Sequence, residues 1–281
     1  IYQKDYLNKN GERRTKAKSI WDEPEVNYQN GTEEIKKLLG SSSFFDYSKP
    51  PFLIKHCIEM IDFNYDNQII LDFFSGSATT AQSVMQSNIE DSGKRKFIMV
   101  QLPETTDEKS EAYKAGYKNI CEIGKERIRR TGKKIKEENP LTTQDLDIGF
   151  RVLKIDDSNM KDVYYSPAEY SQQNLDLFES NIKEDRNDLD LLFGCLLDWG
   201  LLLSLPYTSE TIGKFTVHTY NEGDLIACFN EDVSEDVVKE IARKKPLRAV
   251  FRDSSFSNSA SKINVFEIFK MISPETSVKV I

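Results

Sequence analysis

Hydrophobic residues recur along this chain in two rhythms, one near 3.6 and one near 2, and the changes between them mark the elements. Around residue 32, TEEIKKLLG offers Thr32 as an N-cap, acids in the first turn, apolar Ile35, Leu38 and Leu39, and Gly40 as a stop, which predicts one short helix. Before it the chain is polar, and Asn10, Gly11, Pro24, Asn30 and Gly31 break any long periodicity, so residues 1–40 read as loops around short elements. From Phe44 onward the pattern becomes regular. An extended FDYSKPP leads into a helix over 53–61, then the β-rich run QIILDFF, a stretch of glycine and small residues, a helix over 79–86, and a second strand, KFIMVQL, over 96–102. Strand, tight turn, helix and strand within about thirty residues form a βαβ unit, whose right-handed crossover makes the strands parallel. Both strands are nearly continuous apolar runs, as expected when helices cover both faces of a doubly wound sheet.

A helix ending in a basic stretch follows. Asn139-Pro140 then marks a boundary, and LDIGFRVLKI, 146–155, reads as a strand. Residues 189–205 are the longest apolar stretch, but Asp190, Asp198 and two glycines interrupt it, so it reads as a buried helix rather than a membrane span. FTVHTY and DLIACF flank the turn Asn221-Glu222-Gly223 as a hairpin, Ser234 caps a helix, LRAVF is a strand, and INVFEIFKMI is a helix.

Composition narrows the class. A chain of 281 residues, 38% of them hydrophobic, can bury a substantial core. The formal net charge of -8 argues against a surface that coats nucleic acid throughout, because Lys and Arg supply most of the affinity for phosphate. One local exception is KERIRRTGKKIK, residues 125–136, to be read either as a solvated helix end or as a phosphate contact. The four cysteines, Cys57, Cys121, Cys195 and Cys228, lie far apart with no CxxC pair and read as buried free thiols in a reducing cytoplasm. No metal site is expected, since His56 and His218 lack the spacing of zinc ligands, and neither has a serine nucleophile motif nearby. The chain opens on Ile1, and IYQKDYLNKNGERR lacks the apolar core of a signal peptide, so a start inside a longer protein is expected.

The segment that carries chemistry is ILDFFSGSATTAQSVM. A strand ending at Asp72 aims its carboxylate into the crevice beyond the carboxyl end of the sheet, where ligands of open α/β sheets bind. Gly76 gives the backbone room to pass close to a ligand, and Ser75, Ser77 and Ala78 keep the turn small before Thr79 and Thr80 open the helix. The turn departs from the dinucleotide fingerprint, with alanines where the later glycines belong, and no proton-relay pairing is evident, so a nicotinamide oxidoreductase is disfavoured.

DFFSGSATT resembles motif I of the DNA amino-methyltransferases, with Ala78 in place of a glycine. FDYSKPPFLIKHCIEM resembles their motif X through Lys49 and Pro50. RKFIMVQLPET, DWGLLLSLPYTSETIG and PLRAVFRDSSF followed by KINVFEIFK are similar, in that order, to modification subunits of type III restriction systems. The resemblance implies a Rossmann-like S-adenosylmethionine methyltransferase sheet, a partial three-layer α/β/α, with a C-terminal α+β extension. The divisions it suggests are 1–40 as the end of a target-recognition region or linker, 41–144 as the cofactor-binding part, and 145–281 as a C-terminal domain suited to docking subunits. Lys49, Pro50, Asp72, Phe73, Phe74, Ser75, Gly76, Ser77, Thr79, Thr80 and Gln101 would hold S-adenosylmethionine, with Gln101, or Glu104 beyond it, at the ribose. Double-stranded DNA, a helicase-nuclease restriction subunit and a second modification subunit are the implied partners, the location is cytoplasmic, and no membrane is involved. The adenine-binding Asp-Pro-Pro-Tyr type loop is missing: Lys49-Pro50-Pro51-Phe52 puts a cation where the amine acceptor belongs. No catalytic residue is therefore assigned here, and the catalytic loop is expected upstream. The rival reading is an assembly module, with residues 191–205 and Phe251, Phe256, Phe266 and Phe269 as its apolar docking surface.

Overall fold

The computed structural model describes residues 19–61, 68–143, 146–161 and 182–281. Of the loops expected over 1–40, residues 1–18 lie outside this set. The chain divides into two units, 1–150 and 151–281.

In the first unit, α1 (Tyr28–Leu39) starts earlier than its sequence signal suggested: Asn27, not Thr32, is the N-cap, its side chain accepting from Gln29 N. Gly31, read as a breaker, is buried inside this helix. The reason is a close approach, because a Cβ on Gly31 would fall 1.9 Å from the carbonyl oxygen of Ser48. Helix propensity lost to packing at that one position. Helix α2 (Pro51–Ile61) follows, then β1 (Ile69–Asp72), α3 (Thr79–Asp91) and β2 (Lys96–Met99). β1 and β2 are parallel, with Ile70 opposite Phe97 and Asp72 opposite Met99, so the βαβ unit forms as read. A short α4 (Glu111–Lys114) precedes the long α5 (Ile120–Glu138).

Phe97 and Met99 face Ala81 and Met85 of α3 and Ile128 and Ile135 of α5. The other face of the sheet is bare: Ile69 is 63%, Leu71 58% and Ile98 49% exposed. The strand expected over 146–155 does not form, since none of the described residues pairs with it in a ladder. Its alternation is nonetheless used, with Leu146, Ile148 and Phe150 packed on the α3–α5 cluster. Period-2 patterning reports which side chains turn inward; a strand also needs a neighbour to bond.

The second unit is built on a five-stranded mixed sheet in the order β3-β4-β5-β6-β7. Its strands are β3 (Tyr207–Ile212), β4 (Phe215–Tyr220), β5 (Leu225–Cys228), β6 (Arg248–Phe251) and β7 (Ser277–Val280). The first three are antiparallel neighbours and the last three parallel ones. α6 (Asp188–Asp198) packs Leu191, Leu192 and Leu196 on one face against Tyr220, Leu225 and Val250. It ends well short of residue 205, at Gly200 with φ +63°. α7 (Glu235–Arg243) and α8 (Ser259–Ile272) cover the other face, over Val217, Ile226 and Phe251. Among the aromatics of the proposed docking surface, Phe251 and Phe269 are core residues, Phe256 packs on them, and Phe266 is 41% exposed. No helix of the described residues is long and apolar enough to cross a membrane.

Candidate functional site

The turn between β1 and α3 stands at the carboxyl end of the two parallel strands. Asp72, the last residue of β1, holds it from one side: Oδ1 accepts from Phe74 N at 3.3 Å and Oδ2 from Thr80 Oγ1 at 2.6 Å. Each carboxylate oxygen keeps an unused lone pair. The two residues that follow β2 hold it from the other side, through Ser75 N to the Val100 carbonyl at 3.2 Å and Gly76 N to Gln101 Oε1 at 2.7 Å. The residue placed by resemblance at a ribose is thus bonded to the turn itself, and its amide nitrogen donates to the Leu102 carbonyl at 3.3 Å.

Backbone conformation explains the small residues. Gly76 has φ +50° and Ala78 φ +60°, both left-handed, the second at an ordinarily unfavourable residue. The ring of Phe45 walls one side, 3.2 Å from where a Gly76 Cβ would sit. Gly124 of α5 lets that helix close to the turn, where an added Cβ would be 3.4 Å from Ala78 Cβ.

The eleven residues of the expected site divide by orientation. Phe73 and Phe74 expose their rings at the mouth, at 62% and 78%. Lys49 is exposed, and Asp72, Gly76 and Gln101 are half-buried, so these also remain within reach of a ligand. Ser75, Ser77, Thr79, Thr80 and Pro50 are buried. Ser77 and Thr79 turn their hydroxyls inward to the guanidinium of Arg127, at 2.7 and 2.8 Å. The two sequence segments do converge: Ser48 Oγ lies 3.1 Å from Ser77 Oγ, and Thr79 Oγ1 donates to the Lys49 carbonyl at 3.3 Å.

Arg127 is the residue that sequence reasoning missed, because it was counted into the basic run 125–136. That run does not make one cationic face. Arg127 is fully buried. Arg130 donates to the Leu38 and Leu39 carbonyls, satisfying the end of α1. Lys125 pairs with Glu122, Arg129 with Glu126, Lys133 with Glu137 and Lys134 with Glu138, each along the helix. Burial lowers the Arg127 pKa to about 10, with Glu34 opposing the shift, so the group stays cationic at neutral pH.

The histidines and cysteines contribute no comparable site. His56 stacks on Phe52 and meets Trp21 edge-on. His218 links Ser209 Oγ at 2.8 Å to Asp188 Oδ2 at 3.3 Å, which has the connectivity of a hydrolytic triad. Ser209 nonetheless sits directly opposite His218 in the regular β3–β4 ladder, without the sharp turn that would present a nucleophile beside amide donors. We read it as a satisfied buried histidine that ties α6 to the sheet. All four cysteines are free, but only Cys195 and Cys228 are buried as expected, Cys57 and Cys121 being half-buried on their helices; burial raises Cys195 and Cys228 to about 11, which makes them inert. Among the described residues no three His, Cys, Asp or Glu side chains gather as a metal would require.

Comparison with known proteins places the sequence among related ones. Residues 1–129 match the N6_N4_Mtase family, described as DNA methylase. The chain is 35% identical over 210 residues to the type III restriction-modification enzyme EcoPI Mod subunit of Escherichia phage P1, covering 73% of this chain and 30% of the relative. It is 39% identical over 163 residues to the StyLTI Mod subunit of Salmonella typhimurium, covering 58% and 22%. The match to the EcoP15I Mod subunit of Escherichia coli is 30% identical over 261 residues, covering 88% and 37%. The chain thus spans well under half the length of these relatives. Residues 1–129 thus match a DNA methylase family, and over its matched lengths the chain is similar to the modification subunits of type III restriction-modification enzymes.

Proposed function

We propose that the chain is part of a site-specific DNA methyltransferase that transfers a methyl group from S-adenosylmethionine to adenine N6, as the modification subunit of a type III restriction-modification system. The observation that carries the reading is the bend over residues 72–80, a carboxylate and two exposed aromatic rings beside small, left-handed residues at the open end of parallel strands. These residues fit the cofactor in kind. The free lone pairs of Asp72 suit an ammonium group, the exposed rings of Phe73 and Phe74 suit a flat base, and Gln101 has one amide hydrogen left for a hydroxyl. Lys49 stands at the edge as a counter-charge for a carboxylate. Bound there, S-adenosylmethionine would supply an electrophilic methyl group on a sulfonium. The chain's own residues then bind and orient it; the group that accepts the adenine amine belongs to a catalytic loop outside residues 1–281.

The bare face of the β1–β2 sheet supports the same reading. Ile69, Leu71 and Ile98 make an apolar surface that a Rossmann-like methyltransferase sheet would cover with a second helical layer, supplied here by the rest of the parent protein. Double-stranded DNA, the restriction subunit and a second modification subunit are the partners this function requires, and the cytoplasm is its place.

The test is a pair of measurements. Titration calorimetry of the intact protein with S-adenosylmethionine should show binding that Asp72→Ala weakens at least ten-fold, while residues 1–281 alone bind weakly and transfer no methyl group to DNA. Absence of binding by the intact protein would end the proposal, and robust turnover by residues 1–281 would show that the catalytic loop is not missing.

A further inference from the structure

Two segments far apart in sequence, at Ser48 and over residues 77–82, meet on one buried side chain of α5, and Glu34 joins them through Gln82. Nη1 of Arg127 donates to Ser48 Oγ at 2.9 Å, Ser77 Oγ at 2.7 Å and Thr79 Oγ1 at 2.8 Å, with the Ser77 carbonyl at 3.4 Å. Nε donates to Gln82 Oε1 at 2.7 Å, and Gln82 Nε2 donates onward to Glu34 Oε1 at 2.8 Å. A nitrogen with two hydrogens cannot serve three hydroxyls at once. The hydroxyls complete the arrangement among themselves, Ser48 to Ser77 at 3.1 Å and Ser77 to Thr79 at 3.4 Å.

A cation buried among neutral oxygens is a costly way to fill space, since an apolar side chain of similar volume desolvates nothing. Its return is geometric. The hydroxyl acceptors come from the two segments that the cofactor reading places side by side, 48–50 and 77–79. The first of these is wedged from behind as well, because the Ser48 carbonyl rests on the missing Cβ of Gly31. The loop is also tied to the turn and its helix by Thr79 Oγ1 donating to the Lys49 carbonyl at 3.3 Å and Ser83 Oγ to the Pro51 carbonyl at 3.1 Å, and Arg127 adds the buried charged contact behind them.

We propose that Arg127 is a positioning residue for the cofactor: it locks the segment carrying Lys49 and Pro50 against the turn carrying Gly76, and so sets the shape of the cleft without touching the ligand. The inference rests on the reading of that turn as the S-adenosylmethionine site. Arg127→Lys keeps the charge but ends one bond short and has a single nitrogen in place of the fork, so it restores only part of the arrangement.

The experiment uses the intact protein that carries this sequence, with each variant shown to be folded by circular dichroism at the assay temperature. S-adenosylmethionine affinity is measured by titration, and KM is measured separately for cofactor and for DNA. Arg127→Met should weaken cofactor binding and raise its KM by about 10- to 100-fold, the range expected for lost hydrogen bonds to a charged donor, with KM for DNA unchanged. Arg127→Lys should lie between it and wild type. Ser48→Ala should weaken binding several-fold, and the double variant Arg127→Met/Ser48→Ala should be no worse than Arg127→Met, because both remove the same contact. Folded Arg127→Met with wild-type cofactor affinity would reduce the residue to a core filler and overturn the inference alone. If Arg127→Met does not fold, Ser48→Ala decides, and unchanged affinity there overturns it equally. Failure of the unsubstituted protein to bind cofactor would instead remove the underlying site, and would be seen before any variant is made.

Discussion

The two units handle their sheets in opposite ways. In the second, helices cover both faces of the central strands, and all four residues of β5 are buried, while the middle of the edge strand β3 is exposed. In the first, the described sheet has two strands, one covered face and one apolar face open to solvent. The second unit closes its own core by apolar packing, whereas the first joins its loops through a polar rivet at Arg127 and leaves hydrophobic surface uncovered. The contrast teaches that residue hydrophobicity alone does not say whether a strand's burial is completed within the same chain. Leu71 and Val250 are equally apolar, yet one is 58% exposed and the other 0%.

Substitution can break this comparison or sharpen it. The largest effect is expected in the closed core, where Phe251 packs on Phe256 and Phe269 with ring centroids 5.6 and 6.1 Å apart. Phe251→Ala should lower the stability of the second unit by about 3–5 kcal/mol in urea unfolding. A loss under about 1 kcal/mol would mean that this core is not the close-packed one described.

Next comes Gly31→Ala in the first unit. On propensity it should stabilise a helix by about 1 kcal/mol. Against the Ser48 carbonyl it should instead destabilise by about 1–3 kcal/mol, as overpacking does. A gain in thermal midpoint would refute the close approach. Leu71→Ser is smaller still: in residues 1–281 it should change stability by no more than about 0.5 kcal/mol, as exposed positions do. In the intact protein the same change should cost several-fold more, and an equal, negligible effect in both would show that nothing covers this face.

The smallest expected effect concerns pH. Burial lowers the Arg127 pKa to about 10 in the fold, below the ordinary guanidinium range, so above that pH the unfolded chain binds more protons and this group makes stability rise with pH. Below about 10 both states are protonated, and the stability gap between wild type and Arg127→Met should be flat through neutrality. A slope near neutral pH, seen in paired denaturation curves, would contradict a charged Arg127.

Much of the fold was legible from pattern. The βαβ unit, the hairpin of β4 and β5 and the helices α7 and α8 all announce themselves by period and punctuation. β3 and β7 were not read, for a physical reason: YTSETI and SVKV are edge strands, and an edge strand needs little apolar alternation. At the site, Asp72 and Gly76 were readable because strand end and glycine turn are local features. Arg127 was not, because its partners lie 45 to 79 residues away in the chain.

By itself, then, the order of residues determined the α/β character, the parallel pair with its small-residue bend, and the kinship with DNA methylases. Tertiary structure decided which of the basic residues of α5 turns inward, which site hydroxyls face the protein instead of the cleft, and which strand faces stay uncovered. Local sequence encodes backbone conformation and the inward or outward rhythm of side chains. The partner that meets an inward side chain is chosen by contacts across the whole chain, and a single buried cation is where that choice matters most.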